Sequence, residues 1–293
     1  MKPSGWVWFL SRSLRSWDIM SLGLVARQLS SSGIRLTVIS QSGFFPGGFA
    51  DVISWRGLDG FDRAMSVAFR GRLWHLWGQA PKWWPVVRAR ATTVHSFKGS
   101  DEEWQGHPAI FAGTGLFSER NAWTPAFERD LSWGKPGEDK GDPIAMVVFP
   151  SSSVRPDRSI LESLQRGIGM PLVRLSDQTG ALPVPGGTVD ESDAVRLLAG
   201  RARLLVLPGV DLSSAILAGF ASLYGVPTLA PWSPLLDDLL GVNGYLTDKT
   251  SLSGENGRIA AAAARHRLSE HFTSENSAES LQSIYRTVTG STQ

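Results

Sequence analysis

The sequence runs to 293 residues, 42% hydrophobic and 19% charged, which is enough apolar material for a substantial core and excludes a disordered or fibrous chain. Its 29 Lys and Arg face 27 Asp and Glu, a formal charge of only +2, which argues against a dedicated nucleic-acid protein built on a counterion-displacing basic stripe. Cysteine is absent, which excludes disulfides, thiolate metal sites and cysteine nucleophiles and fits a reducing compartment; the expected location is cytoplasmic.

The first apolar stretch, Trp6 to Leu10, meets Ser11, Arg12, Ser13 and Arg15 at once, so it is too short for a signal core or a bilayer span. The spacing predicts a buried strand over Trp6–Ser11, a helix over Ile19–Ser30 through Leu22, Val25, Ala26 and Leu29, and a strand over Ile34–Ser40. Ser31-Ser32-Gly33 stops the helix. A βαβ unit of this kind implies a parallel sheet with a right-handed crossover. Further strands are expected at Asp51–Trp55, Arg72–Trp77, Ala91–His95 and Ala109–Ala112, with a helix over Phe61–Phe69. Eleven of the twelve tryptophans precede residue 140 and only Trp232 follows it, so the two halves differ in core chemistry.

The stretch from Trp133 to Pro143, WGKPGEDKGDP, is polar, rich in Gly and Pro, and without apolar periodicity, which marks a linker. After it the pattern restarts: strand Ile144–Phe149, helix Ser159–Gly167, strand Pro171–Leu175, helix Glu191–Ala199, strand Leu204–Leu207, helix Ser213–Tyr224 and strand Thr228–Ala230. A short acidic helix near Pro234–Leu240, a strand Gly244–Leu246 and a helical tail from Gly257 complete the chain. Alternating α and β over this length predicts a doubly wound α/β fold, whose ligands sit at the carboxyl ends of the strands.

The helix expected over Ser213–Tyr224 begins just after a turn containing Pro208 and Gly209, so its N–H groups and positive dipole end point to where a diphosphate would lie. Ser213 and Ser214 add hydroxyls at that end, and Asp211 or Ser213 also suits an N-cap, a role compatible with ligand binding. Arg155 and Arg158 follow within a few residues of the first strand of this half, Ile144–Phe149, and suit bidentate phosphate contacts.

Three stretches of the second half, GGTVDESDAVRLLAGRARLLVLPG, the run from Pro208 through GVPTLA, and ARHRLSEHFTSENSAESLQSIYRTV, resemble the donor-binding domain of retaining family-4-type glycosyltransferases, which have the GT-B architecture. The first half resembles that family through LGLVARQLSSSGIRLTVIS and TTVHSFKG. The resemblance implies two Rossmann-like domains with parallel sheets flanked by helices: an acceptor-side domain over 1–140, a nucleotide-sugar domain over 143–275, and a terminal helix and tail over 276–293. It implies a nucleotide-sugar as donor substrate and no tightly bound cofactor. Aligned on Pro208 and Gly225, Leu212 and Phe220 stand where the family has its two glutamates, and Asp211, the adjacent carboxylate, is with His95 a candidate catalytic residue. SRSLRSWD replaces the glycine-rich turn that often follows the family's first strand.

On the acceptor side, His95 ends a strand and suits the orienting of a hydroxyl, with Lys98 close behind it and Arg12 after the first strand. The alternative for His75 and His95 is a buried structural role, and His107, His266 and His271 read as surface or loop residues. No His and carboxylate set has metal-ligand spacing, and no Walker, Gly-x-Ser-x-Gly or paired-glycosidase arrangement occurs. The Trp74–Arg90 segment mixes Trp with Lys82, Arg88 and Arg90; its tryptophans suit the core, and alternatively a membrane interface at the inner face presenting a lipid-linked acceptor, or stacking on sugars or bases. The expected function is therefore sugar transfer from a nucleotide-sugar to a carbohydrate, lipid-linked or other acceptor in the interdomain cleft. The rival readings are a catalytically inactive GT-B-like partner subunit of an active transferase, favoured by Leu212 and Phe220, and a transferase acting on modified DNA bases.

Overall fold

The computed structural model describes residues 6–11, 13–40, 45–46, 48, 50–54, 73–78, 92–96, 125–128, 141–150, 169–175, 188–189, 193–248 and 254–290. They fall into two compact units. The expected helices Phe61–Phe69 and Ser159–Gly167 and the strand Ala109–Ala112 lie outside the described residues, as does the linker up to Lys140.

The first unit carries β1 (Trp6–Leu10), α1 (Ser16–Ser31), β2 (Leu36–Ser40), β3 (Asp51–Ser54), β4 (Leu73–Trp77) and β5 (Thr92–Ser96). All pairings are parallel and the order is β3-β2-β1-β4-β5. Helix α1 starts three residues before its expected Ile19 because the Asp18 carboxylate reaches back to accept the Arg15 N–H at 2.9 Å, closing the first turn. Four of the five strand positions expected at Asp51–Trp55 appear as β3, whose one buried residue is Ile53, as suits a sheet edge.

The central strands β1 and β4 are packed with aromatics. Trp8, Trp74 and Trp77 are fully buried, so these members of the Trp74–Arg90 segment and its neighbour strand are core residues; Trp83 and Trp84 lie outside the described residues. Alternation along the strands places Trp6, Trp8, His75 and Trp77 on one face. His75 stacks on Trp77 with ring centroids 3.7 Å apart, and Trp8 meets Trp77 edge-on.

The chain returns to this unit at its end. After α5 (Gly254–His271) comes α6 (Ser274–Thr289), and α6 belongs to the first unit. Its buried Ala278, Leu281, Ile284 and Tyr285 form one helical stripe, and it packs on α1. Tyr285 inserts among the tryptophans: its hydroxyl accepts from Trp8 Nε1 at 2.9 Å, bonds His75 Nδ1, and its ring meets Trp6 edge-on. Full burial raises the Tyr285 phenol well above its ordinary pKa, so it stays neutral. His75 is thus a structural histidine, one of the two roles open from sequence.

The second unit carries β6 (Ile144–Val147), β7 (Leu172–Leu175), β8 (Thr188–Val189), α2 (Ala194–Gly200), β9 (Ala202–Val206), α3 (Leu212–Leu223), β10 (Thr228–Leu229), α4 (Pro234–Leu240) and α5. Its parallel order, β8-β7-β6-β9-β10, repeats that of the first sheet, the 3-2-1-4-5 order of dinucleotide-binding folds. The two-residue β8 falls where a loop is expected, since GGTVDES has no periodicity to show it. The expected strand Gly244–Leu246 is reduced to a single parallel bridge from Leu246 to Leu229. The core here is aliphatic: Ala145, Val147, Leu172, Leu204, Val206, Leu229, Leu246 and Ala260 with Phe149. The expected tail from Gly257 resolves into α5 and α6, broken at Phe272-Thr273.

The chain leaves the first unit after Ala126. Within that unit the Ser21 hydroxyl of α1 both accepts from the Ala126 N–H and donates to its carbonyl, each at 3.0 Å. Within the second unit the Phe127 N–H donates to Phe272 O at 2.9 Å, and the Phe127 ring lies in a notch that only Gly219 can leave open, since a Cβ there would overlap Cε1 and stand 2.6 Å from Cζ. Among the described residues no helix is long and apolar enough to cross a membrane.

Candidate functional site

In a sheet of 3-2-1-4-5 order the crevice opens between the first and fourth strands, where the connections diverge to opposite faces. Each unit has one such point, and the two are finished differently.

In the first unit the exits of β1 and β4 close on each other. Ser11 N–H donates to Trp77 O at 3.0 Å, the Ser11 and Ser13 hydroxyls bond at 2.6 Å, and Gly78 at φ 93° lies beneath them. A Cβ on Gly78 would overlap Ser11 Oγ and stand 2.6 Å from Ser13 Oγ, so close backbone approach is supplied by β4 and not by the turn after β1. His95 occupies the fourth position of β5, paired with Leu76, at the carboxyl end of the sheet; its side chain, Arg12 and Lys98 lie outside the described residues.

In the second unit β9 runs out through Leu207, Pro208 and Gly209 to α3, which starts at Leu212 with Asp211 as N-cap. Asp211 Oδ1 accepts the Ser214 N–H at 2.8 Å, while Ser214 Oγ accepts the Asp211 N–H at 2.9 Å and bonds its carbonyl at 2.9 Å. This reciprocal box commits the Ser214 hydroxyl to the cap and leaves it buried. Ser213 and Leu212 are half-buried at the same turn. The free-energy advantage of the end is electrostatic: aligned peptide dipoles give about half a positive charge at the amino terminus of α3. Arg155 and Arg158 lie outside the described residues.

Phe220, two turns on, is fully buried and meets Phe127 edge-on at 5.2 Å, so this position faces the core and carries no group for a ligand.

The adjacent exit holds residues that the sequence pattern did not single out as a site. β10 pairs with β9 in register from Leu205 to Val206, and Leu207 N–H donates to Leu229 O, so the loops after β9 and β10 leave neighbouring strands at the same level. Trp232 follows β10 and is 68% exposed. Its Nε1–H donates to Asp237 Oδ2 at 2.9 Å, and Asp237 Oδ1 accepts the Tyr245 hydroxyl at 2.8 Å. Tyr245 in turn accepts the Ser233 N–H at 3.2 Å. Burial first, and then the Asp237 carboxylate, push the Tyr245 phenol up to about 12, against the opposing Ser233 bond. The sequence signal for this set is the lone tryptophan of the second half standing between Pro231 and Pro234. His266 and His271 are exposed near Glu270, as surface residues.

No protein-family model matches the chain, and no curated protein does. Solved structures do match along its length. The sucrose-phosphate synthase of Thermosynechococcus elongatus superposes with a TM-score of 0.63 at 12% identity, covering 98% of this chain and 100% of that one. AviGT4, a glycosyltransferase involved in avilamycin A biosynthesis, gives 0.62 at 14% identity and 98% coverage of both chains. An α-glucosyltransferase in complex with UDP gives 0.60 at 9% identity, covering 98% and 100%. At such identities the likeness is one of fold, and together with the two repeated strand orders it makes this a chain of GT-B fold.

Proposed function

We propose that the protein is a glycosyltransferase that takes a nucleotide-activated sugar, with the donor diphosphate at the amino end of α3. The observation that carries this reading is the position of that end: a capped helix of twelve residues leaving the fourth strand of a 3-2-1-4-5 sheet, at its switch point. The α-glucosyltransferase of the same fold binds UDP, which supports a nucleotide-sugar as the ligand class. In this reading the dipole of α3, the Ser213 hydroxyl, the backbone at Gly209, and Arg155 and Arg158 neutralise the negative charge that grows on the leaving diphosphate, and positioning supplies the rest. Asp211 and the Ser214 hydroxyl hold the turn in shape. His95, Arg12 and Lys98 serve the acceptor on the first unit, and no tightly bound cofactor takes part. We place the protein in the cytoplasm, at the inner membrane face where the acceptor is lipid-linked.

The test is thermal stability and calorimetric binding against UDP-, GDP-, ADP- and CMP-sugars for the wild type and the Arg155→Ala/Arg158→Ala variant. A ligand held at one hundred times its Kd stabilises the folded state by about 2.7 kcal/mol, and the double variant should lose most of that shift. A folded wild type that binds none of the donors overturns the enzyme reading.

A second reading, a chemistry-free partner of an active transferase, draws on Phe220: its burial against Phe127 leaves no acceptor for a sugar or ribose hydroxyl at that position. Co-elution with an active transferase, in a protein that binds no donor, is its expected outcome. Binding of duplex DNA with a steep fall in added salt would instead move the acceptor to a nucleic acid.

A further inference from the structure

The geometry points to Trp232 as a stacking platform for a ring of the bound donor, an inference that rests on the donor reading above and adds a residue to it. An indole that is 68% exposed gains little from burial, yet this one is fixed in direction. Asp237 accepts its Nε1–H at 2.9 Å, and the other oxygen of the same carboxylate is occupied by the Tyr245 hydroxyl. Tyr245 is 5% exposed and is itself held by the Ser233 N–H, so the support is anchored in the interior. Pro231 and Pro234 restrict the backbone on either side.

This arrangement satisfies the one polar atom of the side chain on its edge and leaves the indole largely open to solvent. Such a surface accepts a flat nucleobase or the C–H face of a pyranose, both of which gain from contact with an aromatic ring. Its place fits that ligand. Adjacent parallel strands are about 4.8 Å apart, and the loop carrying Trp232 leaves β10 beside the loop that leads from β9 into α3. A ring attached to a diphosphate at the start of α3 is therefore within a short reach of this loop. Asp237 and Tyr245 act through Trp232 and are positioning residues.

The experiment is isothermal titration of the full chain with UDP, GDP and ADP and with UDP-glucose, GDP-mannose and ADP-glucose. Wild type, Trp232→Ala, Trp232→Phe and Asp237→Asn are compared. Loss of a stacked ring should raise Kd about tenfold in Trp232→Ala, and Trp232→Phe should restore most of it because the aromatic face remains. Asp237→Asn should fall between them, with a melting temperature close to that of the wild type showing that the fold persists. A tenfold loss with the bare diphosphates assigns the ring to the base, whereas a loss confined to the sugar conjugates assigns it to the sugar. Equal affinity of wild type and Trp232→Ala for every ligand that binds overturns the platform while leaving the donor site standing. Absence of binding by the wild type overturns the donor reading and the platform with it.

Discussion

The two sheets share one strand order but fill it with different chemistry. Around β1 and β4 the interior is built from Trp8, Trp74, Trp77, His75 and the returning Tyr285, whose ring also meets the half-buried Trp6, with a hydrogen-bonded hydroxyl at its centre. Around β6 and β9 it is aliphatic apart from Phe149, and the aromatic cluster of Phe127, Phe220 and Phe272 gathers at α3 instead. The switch points differ in the same sense: serines folded onto Gly78 close the first, and a helix terminus with its dipole occupies the second. The same strand order therefore carries two different finishes, set by the residues at the strand exits.

The strongest way to break that contrast is Tyr285→Ala. Truncating a buried aromatic costs about 3–5 kcal/mol. Amide hydrogen exchange should show protection lost in β1 and β4 and largely kept in β6 and β9; equal loss in both sheets would mean the two interiors are one cooperative body. Gly219→Ala attacks the other unit. Its new methyl overlaps the Phe127 ring, and overpacking of this kind costs about 1–3 kcal/mol, read as lost protection in β9 and α3 with the first sheet unaffected.

Asp211→Ala removes the cap of α3 and should cost about 1 kcal/mol, while Asp211→Asn keeps most of it because the amide oxygen still accepts the Ser214 N–H. The measurement is a denaturant midpoint at constant slope. The effect confined to the narrowest conditions is on alkaline stability. The Tyr245 phenol rises from 10.0 to about 12 on folding, so the neutral form is favoured in the native state. Its contribution is fully present below pH 10 and is lost as pH climbs toward 12. Tyr245→Phe should therefore narrow its stability deficit against wild type across that window, and a constant deficit would sink the assignment.

The alternation of strands and helices was legible because both sheets are parallel and doubly covered, so their strands read as apolar runs such as Leu73–Trp77 and Ile144–Val147 between turns. The start of α3 was legible within one residue because Asp211 supplies a local cap. Tyr285 could be noted as the last tyrosine of the tail, but its partner His75 is 210 positions away, and no local pattern encodes that pairing. Trp232, Asp237 and Tyr245 escaped notice as a unit for a related reason: each looks ordinary alone, and their relation arises only when the loop after β10 folds over the start of α4.

The return of α6 to the first unit sets an order of events during synthesis. A ribosome that has released β1 to β5 must still make Phe127 to Thr273 before α6 appears, and at about 5–20 residues per second that takes roughly 7–30 s. Throughout that interval the tryptophan face of the first sheet lacks Tyr285 and α6, while the described part of the second unit lies in one run of chain, Phe127–Thr273, with no later segment to wait for. The portion translated first is thus the portion finished last: the Trp8 indole waits for a hydroxyl 277 positions further along the chain.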